Sequence, residues 1–211
     1  MNYRPEGRQA LTPMVKNLLI ANVALFVIGL VARPVGEVIE RYGALYFPGT
    51  GNFVFTQFIT YMFLHSRDNF FHIVFNMFGL YMFGTAIERV WGWKRFLNFY
   101  LACGLGAAVF HILIMYLPLE MNAGREFSRM VGASGAIYGL LVAFGFLYPN
   151  NKVYIYFLIP LKAKYFVALL IAGDLLFGFT GGGQSNTAHF AHIGGAITGL
   201  AFLFASKLKR R

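Results

Sequence analysis

The sequence predicts an all-α, polytopic membrane protein: a bundle of six transmembrane helices with both termini on the cytoplasmic side. Three observations predict it. Only 12% of the 211 residues are charged, while 58% are hydrophobic and 18% aromatic; a soluble domain carries about a quarter charged residues. Six apolar stretches approach the roughly 20 residues that cross a ~30 Å hydrocarbon layer. The basic residues fall between those stretches, and unevenly.

From the N-terminus, residues 1–13 form a short cytoplasmic segment. The first span, 14–32, has an apolar core too long for a signal peptide and no A-x-A-like cleavage site close behind it. The segment 33–68 mixes Glu37, Glu40 and Arg41 with Tyr42, Leu45, Tyr46, Phe47, Phe53 and Phe55, a composition expected on or in the membrane interface. Spans follow at 69–88, 95–117, 130–148, 160–179 and 188–206. The 14–206 region leaves no room for a separate soluble domain, and 207–211 is a basic cytoplasmic tail. Before the last span, 177–186 is glycine-rich and expected to be mobile and to serve as a lid.

Alternating sides distribute the basic residues as follows. One side receives Arg4, Arg8 and Lys16, then Arg89, Lys94 and Arg95, then Lys152, Lys162 and Lys164, then Lys207, Lys209, Arg210 and Arg211. The other receives only Arg33, Arg41, Arg67, Arg125 and Arg129. Basic loops favour the cytoplasm, which predicts an N-in, C-in topology. The net charge of +10 is therefore read as topology; a nucleic-acid partner needs the cations gathered on one wet face. The single cysteine, Cys103, has no partner for a disulfide or a cysteine metal site.

A polar or ionisable side chain within a span is costly and marks a functional hypothesis. The second, fourth and sixth spans run the same way, and each begins with such groups: His72 and Asn76, Ser134, and His189 with His192. At 1.5 Å of rise per residue these positions share one depth, in the outer half of the bilayer. A serine becomes a nucleophile when an adjacent base takes its proton, and His192 is the base best placed to do so. Gly135 with Gly139 and Gly195 with Gly199 form two small-x-x-x-small faces, which let two helix backbones approach closely. Opening a helix puts Ser134 among unpaired backbone N–H groups suited to an oxyanion. His72 and Asn76, four apart on one face, can add side-chain donors, and Tyr138, one turn below Ser134, can stack on the base.

Each residue has a plainer reading. A lone serine in a membrane helix ordinarily bonds back to its own backbone, and His72 and Asn76 can simply link helices. His65, His189 and His111 read as structural or orienting groups, and Glu88 and Arg89 as a tether at the cytoplasmic interface. Asp174 can orient a histidine as third member of a triad or merely pair with a loop. No metal, nucleotide or flavin motif occurs, so no cofactor is expected.

Together, Gly132-Ala-Ser-Gly135 opening the fourth span, His72-x-x-x-Asn76 in the second and Ala191-His192-x-x-Gly195 in the sixth resemble the rhomboid intramembrane serine proteases over about residues 56 to 206. The resemblance implies a catalytic dyad of Ser134 and His192, with His72, Asn76 and the Ser134 backbone N–H as oxyanion hole. It matches Tyr138 to the aromatic packed on the catalytic histidine, and Gly195 and Gly199 to the close-packing face of the last helix. Asp174 is left outside that dyad. The resemblance further implies a water-filled cavity open to the outside, lateral entry of single-span membrane-protein substrates, and a cap formed by the glycine-rich segment. The expected setting is a prokaryotic plasma membrane. Two other functions compete: an inactive relative that binds membrane helices as chaperone or retention factor, and a histidine-based transporter, whose polar groups should be reachable from both sides.

Overall fold

The computed structural model describes residues 11–116, 129–155, 158–180 and 186–208. In chain order the helices are α1 (Pro13–Val31), α2 (Arg33–Gly43), the short α3 (Gln57–Thr60), α4 (Phe70–Trp91), α5 (Trp93–Tyr116), α6 (Ser134–Leu147), α7 (Ala163–Thr180) and α8 (Asn186–Leu208). Within α4, Leu80–Gly84 forms a π turn. Two antiparallel pairs of short strands complete it: β1 (Leu45–Tyr46) with β2 (Arg129–Met130), and β3 (Lys152–Ile155) with β4 (Ile159–Lys162).

Among the described residues five helices, α1, α4, α5, α7 and α8, are long and apolar enough to cross a membrane. The sixth, α6, has 14 residues and is about 21 Å long at 1.5 Å per residue, short of a ~30 Å hydrocarbon layer. It is instead wrapped by its neighbours, with Gly135, Ala136, Ile137, Gly139, Leu140, Leu141, Ala143 and Phe144 all buried. Contacts fix the relative directions. Gly79 meets Ile137 and Phe83 meets Phe144, so α4 and α6 run in parallel. Gly135 faces Ala107 while Gly139 faces Cys103, so α5 runs against α6. Gly135 lies against Gly195 and Gly139 against Gly199, so α8 is parallel to α6.

Two expected spans start later than hydropathy suggested. The stretch 130–133 is not helical, because Gly132 sits at φ 126°, a conformation that interrupts a right-handed helix and favours glycine. Residues 160–162 belong to β4 rather than to α7; Pro160 is accommodated there because a two-stranded sheet consists only of edges.

The segment after α1 is a folded substructure. Gly29 and Gly36 bring α1 and α2 into backbone contact, since a Cβ on Gly36 would stand 2.7 Å from the Gly29 Cα. Gln57 is fully buried; it accepts from the Tyr46 N–H at 3.2 Å and donates to the Asn52 carbonyl at 2.8 Å. The Thr60 hydroxyl donates to the Gly43 carbonyl at 2.8 Å, and the Tyr61 hydroxyl to the Gly104 carbonyl at 2.7 Å. Glu40 joins Arg67 on one oxygen, at 2.6 Å, and Arg129 on the other.

At the opposite end, Glu88 closes the bundle. The first N–H groups of a helix lack intrahelical acceptors; in α1, Pro13 has none to satisfy, and the Glu88 carboxylate accepts from Met14 N at 2.9 Å and Val15 N at 2.8 Å. Thr12 adds its hydroxyl at 2.6 Å. A buried carboxylate thus caps a helix some 70 residues away in sequence and pins the N-terminal end of α1 to the C-terminal end of α4. Hydrogen bonds to charged groups contribute about 1.5–3 kcal/mol each. Glu88→Gln, which keeps the shape and loses the charge, should lower stability by about 2 kcal/mol. Thermal unfolding in detergent checks this, and an unchanged midpoint would contradict the capping role.

Candidate active site

Ser134 is the first residue of α6, and its position follows from the backbone before it. The Tyr61 carbonyl accepts from the Gly132 N–H at 3.0 Å, so the 61–63 turn holds the loop that β2 delivers. The first bond within α6 runs from Ile137 N to Ala133 O, at 3.0 Å. The N–H groups of Ser134 and Gly135 precede it and have no acceptor within the helix. They carry the positive end of the helix dipole.

His192 reaches Ser134 because α6 and α8 touch through glycine. A Cβ on Gly195 would overlap the Gly135 carbonyl, and one on Gly199 would lie 3.0 Å from the Gly139 Cα. This contact brings His192 Nε2 to 2.8 Å from Ser134 Oγ. The Tyr138 ring stacks on the imidazole, with centroids 4.3 Å apart and planes 8° from parallel. Serine, histidine and tyrosine, taken from two helices, therefore form one packed group.

Beside it lies a cavity of about 440 Å³, lined among others by His72, Asn76, Gly132, Ser134 and His192. The Ser66 N–H donates to His72 Nδ1 at 3.4 Å, so in the neutral ring Nε2 carries the proton and acts as a donor. A Cβ on Gly132 would stand 2.9 Å from His72 Nε2 and 3.7 Å from Ser134 Oγ. Glycine here keeps open the gap between a donor and the hydroxyl. Asn76 lies one turn below, with Nδ2 donating to the His72 carbonyl at 2.7 Å. That uses one of its two N–H groups and leaves the second.

Sequence reasoning left Asp174 outside the central group; the structure puts it against both histidines of α8. Its Oδ1 is 2.5 Å from His189 Nδ1, and its Oδ2 is 3.3 Å from His192 Nδ1, without hydrogen-bond alignment. The signal available in the sequence was the i, i+3 spacing of His189 and His192, which puts both on one helix face. The donor atoms of Asp174, His189 and His192 lie within 4.8 Å of one another. The 2.5 Å approach is a hydrogen-bond length, whereas ligands about 2 Å from a zinc ion stand over ~3 Å apart.

His65 is buried against His72, with ring centroids 5.2 Å apart. Burial, with a smaller contribution from His72, pushes its imidazole down to about 3, so it is neutral at physiological pH. His111 is buried in α5, with no place in the Ser134 cavity. The glycine-rich segment expected to act as a lid includes 181–185, which lie outside the described residues, as do 1–10, Arg125 and 209–211.

Residues 52–207 match the family model described as the rhomboid domain. The chain is 39% identical over 133 residues to the mitochondrial RHOMBOID-like protein 12 of Arabidopsis thaliana, an alignment covering 59% of this chain and 39% of that protein. It is 34% identical over 128 residues to the rhomboid protease GluP of Bacillus subtilis (strain 168), covering 61% and 22%. To the rhomboid protease AarA of Providencia stuartii it is 35% identical over 147 residues, covering 65% and 51%. The alignments thus span between about a fifth and a half of these relatives' lengths.

The α6–α8 contact yields a direct test. Gly195→Ala forces a methyl group into the Gly135 carbonyl, and overpacking costs about 1–3 kcal/mol. Its unfolding free energy should fall by that amount; a value equal to the native chain's would show that the backbones do not need this approach.

Proposed function

Because the chain belongs to the rhomboid family, we propose that it is an intramembrane serine endopeptidase in which Ser134 is the nucleophile and His192 its general base. The observation that carries this reading is the 2.8 Å separation of His192 Nε2 and Ser134 Oγ, beside a cavity that His72 and Asn76 also line, between apolar helices. A serine hydroxyl alone is a weak nucleophile, and a neutral imidazole at this distance takes its proton as Oγ attacks a peptide carbonyl. The resulting oxyanion is held by the Ser134 N–H, His72 Nε2–H and the free N–H of Asn76. Pre-arranged donors of this kind act where charge develops and need no reorganisation. His192 then returns the proton to the leaving amine, and a water molecule repeats the sequence on the acyl-enzyme. Tyr138 keeps the imidazole plane fixed throughout by stacking.

The substrates of this reading are transmembrane segments of single-span proteins, cut near their outer end. Support comes from the location of the cavity at the end of the bundle where α4, α6 and α8 begin. The basic residues Arg89, Lys94, Arg95, Lys152, Lys162 and Lys164 gather at the other end, where Arg95 lies 4.6 Å over the Trp91 ring and Lys94 5.5 Å over that of Trp93. Tryptophan marks a membrane interface of either side, and the excess of basic residues marks this one as cytoplasmic. The proposed topology is therefore N-in and C-in, with 1–13 and 207–211 cytoplasmic and the site extracytoplasmic. The similar proteins come from bacteria and from mitochondria alike; the setting proposed for this chain is a prokaryotic plasma membrane.

Reconstitution with a single-span substrate in liposomes tests this function. The native chain should cleave it, and His192→Ala should abolish cleavage. Asn76→Ala should slow it by ~10²-fold or less, since losing one oxyanion donor costs ~10² to 10³ and others remain. Binding of the substrate helix with no cleavage by the native chain would contradict the protease reading and favour a helix-binding role.

A further inference from the structure

The proton cycle described above requires one tautomer of His192. For Nε2 to accept from Ser134, the ring proton must sit on Nδ1. His192 Nδ1 is buried without a hydrogen-bond partner, and so is Asp174 Oδ2. These two unpartnered atoms, a donor and an acceptor, face each other at 3.3 Å. The other carboxylate oxygen is anchored by His189 Nδ1 at 2.5 Å, and the carboxylate is itself buried.

We infer that Asp174, held by His189, is a positioning residue that selects the Nδ1–H tautomer of His192 and aims its ring at Ser134. The inference rests on the protease reading and adds to it a third and fourth member. Three constraints then act on one imidazole and a fourth on its carboxylate. Ser134 fixes one nitrogen and Asp174 the other, Tyr138 fixes the plane, and His189 keeps the acid from rotating away. When Nε2 takes the serine proton, the imidazolium forms beside a carboxylate that is already in place. No other acceptor among the described residues stands at Nδ1. The pair stands at 3.3 Å without hydrogen-bond alignment, and apo-state contacts of this sort commonly tighten when substrate binds.

The alternative is that Asp174 and His189 only clamp α7 to α8, and the two roles separate cleanly. Asp174→Asn preserves the shape. With its carbonyl oxygen still accepting from His189 Nδ1–H, its NH₂ faces His192 and favours the wrong tautomer. In soluble Ser-His-Asp enzymes that exchange costs about 10⁴ in kcat. Here kcat should fall by ~10² or more with KM within about twofold. In nitrogen-15 spectra of histidine-labelled protein in bilayers, the His192 proton should move from Nδ1 to Nε2.

A clamp alone would lower thermal stability and leave the tautomer unchanged, so that pattern overturns the inference. The spectrum of the native protein decides even if Asp174→Asn fails to fold: a resting His192 protonated on Nε2 alone is incompatible with it. Cleavage that is equal in the native chain and in Ser134→Ala would remove the protease reading and this inference with it. Cleavage by the native chain matched by Asp174→Asn at the same kcat would remove this inference alone.

Discussion

The rest of the site depends on one contact, that of α6 with α8 at Gly135, Gly139, Gly195 and Gly199. In lipid, apolar side chains gain little by leaving the hydrocarbon for a helix surface of the same polarity, so close packing has to supply the association. Glycine allows the two backbones to touch, and the backbone separation in turn fixes how far Ser134 stands from His192. A methyl group at Gly195 acts on the separation of Ser134 and His192. Stability and site geometry are here a single constraint, and α6 can be too short to cross the layer because four longer helices enclose it.

The second constraint concerns the loop entering α6. The positive φ of Gly132, its N–H on the Tyr61 carbonyl and the β1–β2 pairing decide where Ser134 begins its helix. Glu40 links that pairing to Arg67, just ahead of α4, so the segment after α1 braces both the serine loop and the start of the His72 helix. From that segment Tyr61 also lines the cavity. Asp174 and His189 brace the other side of the site from α7 and α8.

Much of this was legible in the sequence because the relevant signals are local or periodic. Spans appear as apolar runs, and the glycine faces repeat every four residues. The depth expected to be shared by His72, Asn76, Ser134 and His192 comes from the topology of the basic residues together with helix rise. What remained hidden depended on pairings across the chain. Glu88 reads as an interface tether, but that it caps α1 depends on a contact 73 residues away. The 33–68 region reads as a segment on or in the interface because charged residues mix with aromatics; that Gln57 and Tyr61 are buried with specific partners depends on contacts across the chain. Hydropathy could not separate β4 from α7, since Ile159, Pro160 and Leu161 are as apolar as the helix that follows. Asp174 was visible as an acid near a loop; its distance to His192 was not.

The central claim is that Ser134 is activated by His192 inside this cavity. A fluorophosphonate reacts with an activated serine hydroxyl and leaves an unactivated one untouched, so mapping its adduct by mass spectrometry on the protein in liposomes addresses the claim without any knowledge of substrate. One modified residue is expected, Ser134, with modification lost when His192 is replaced. Adducts on other residues, or a Ser134 that reacts equally fast without His192, would contradict it.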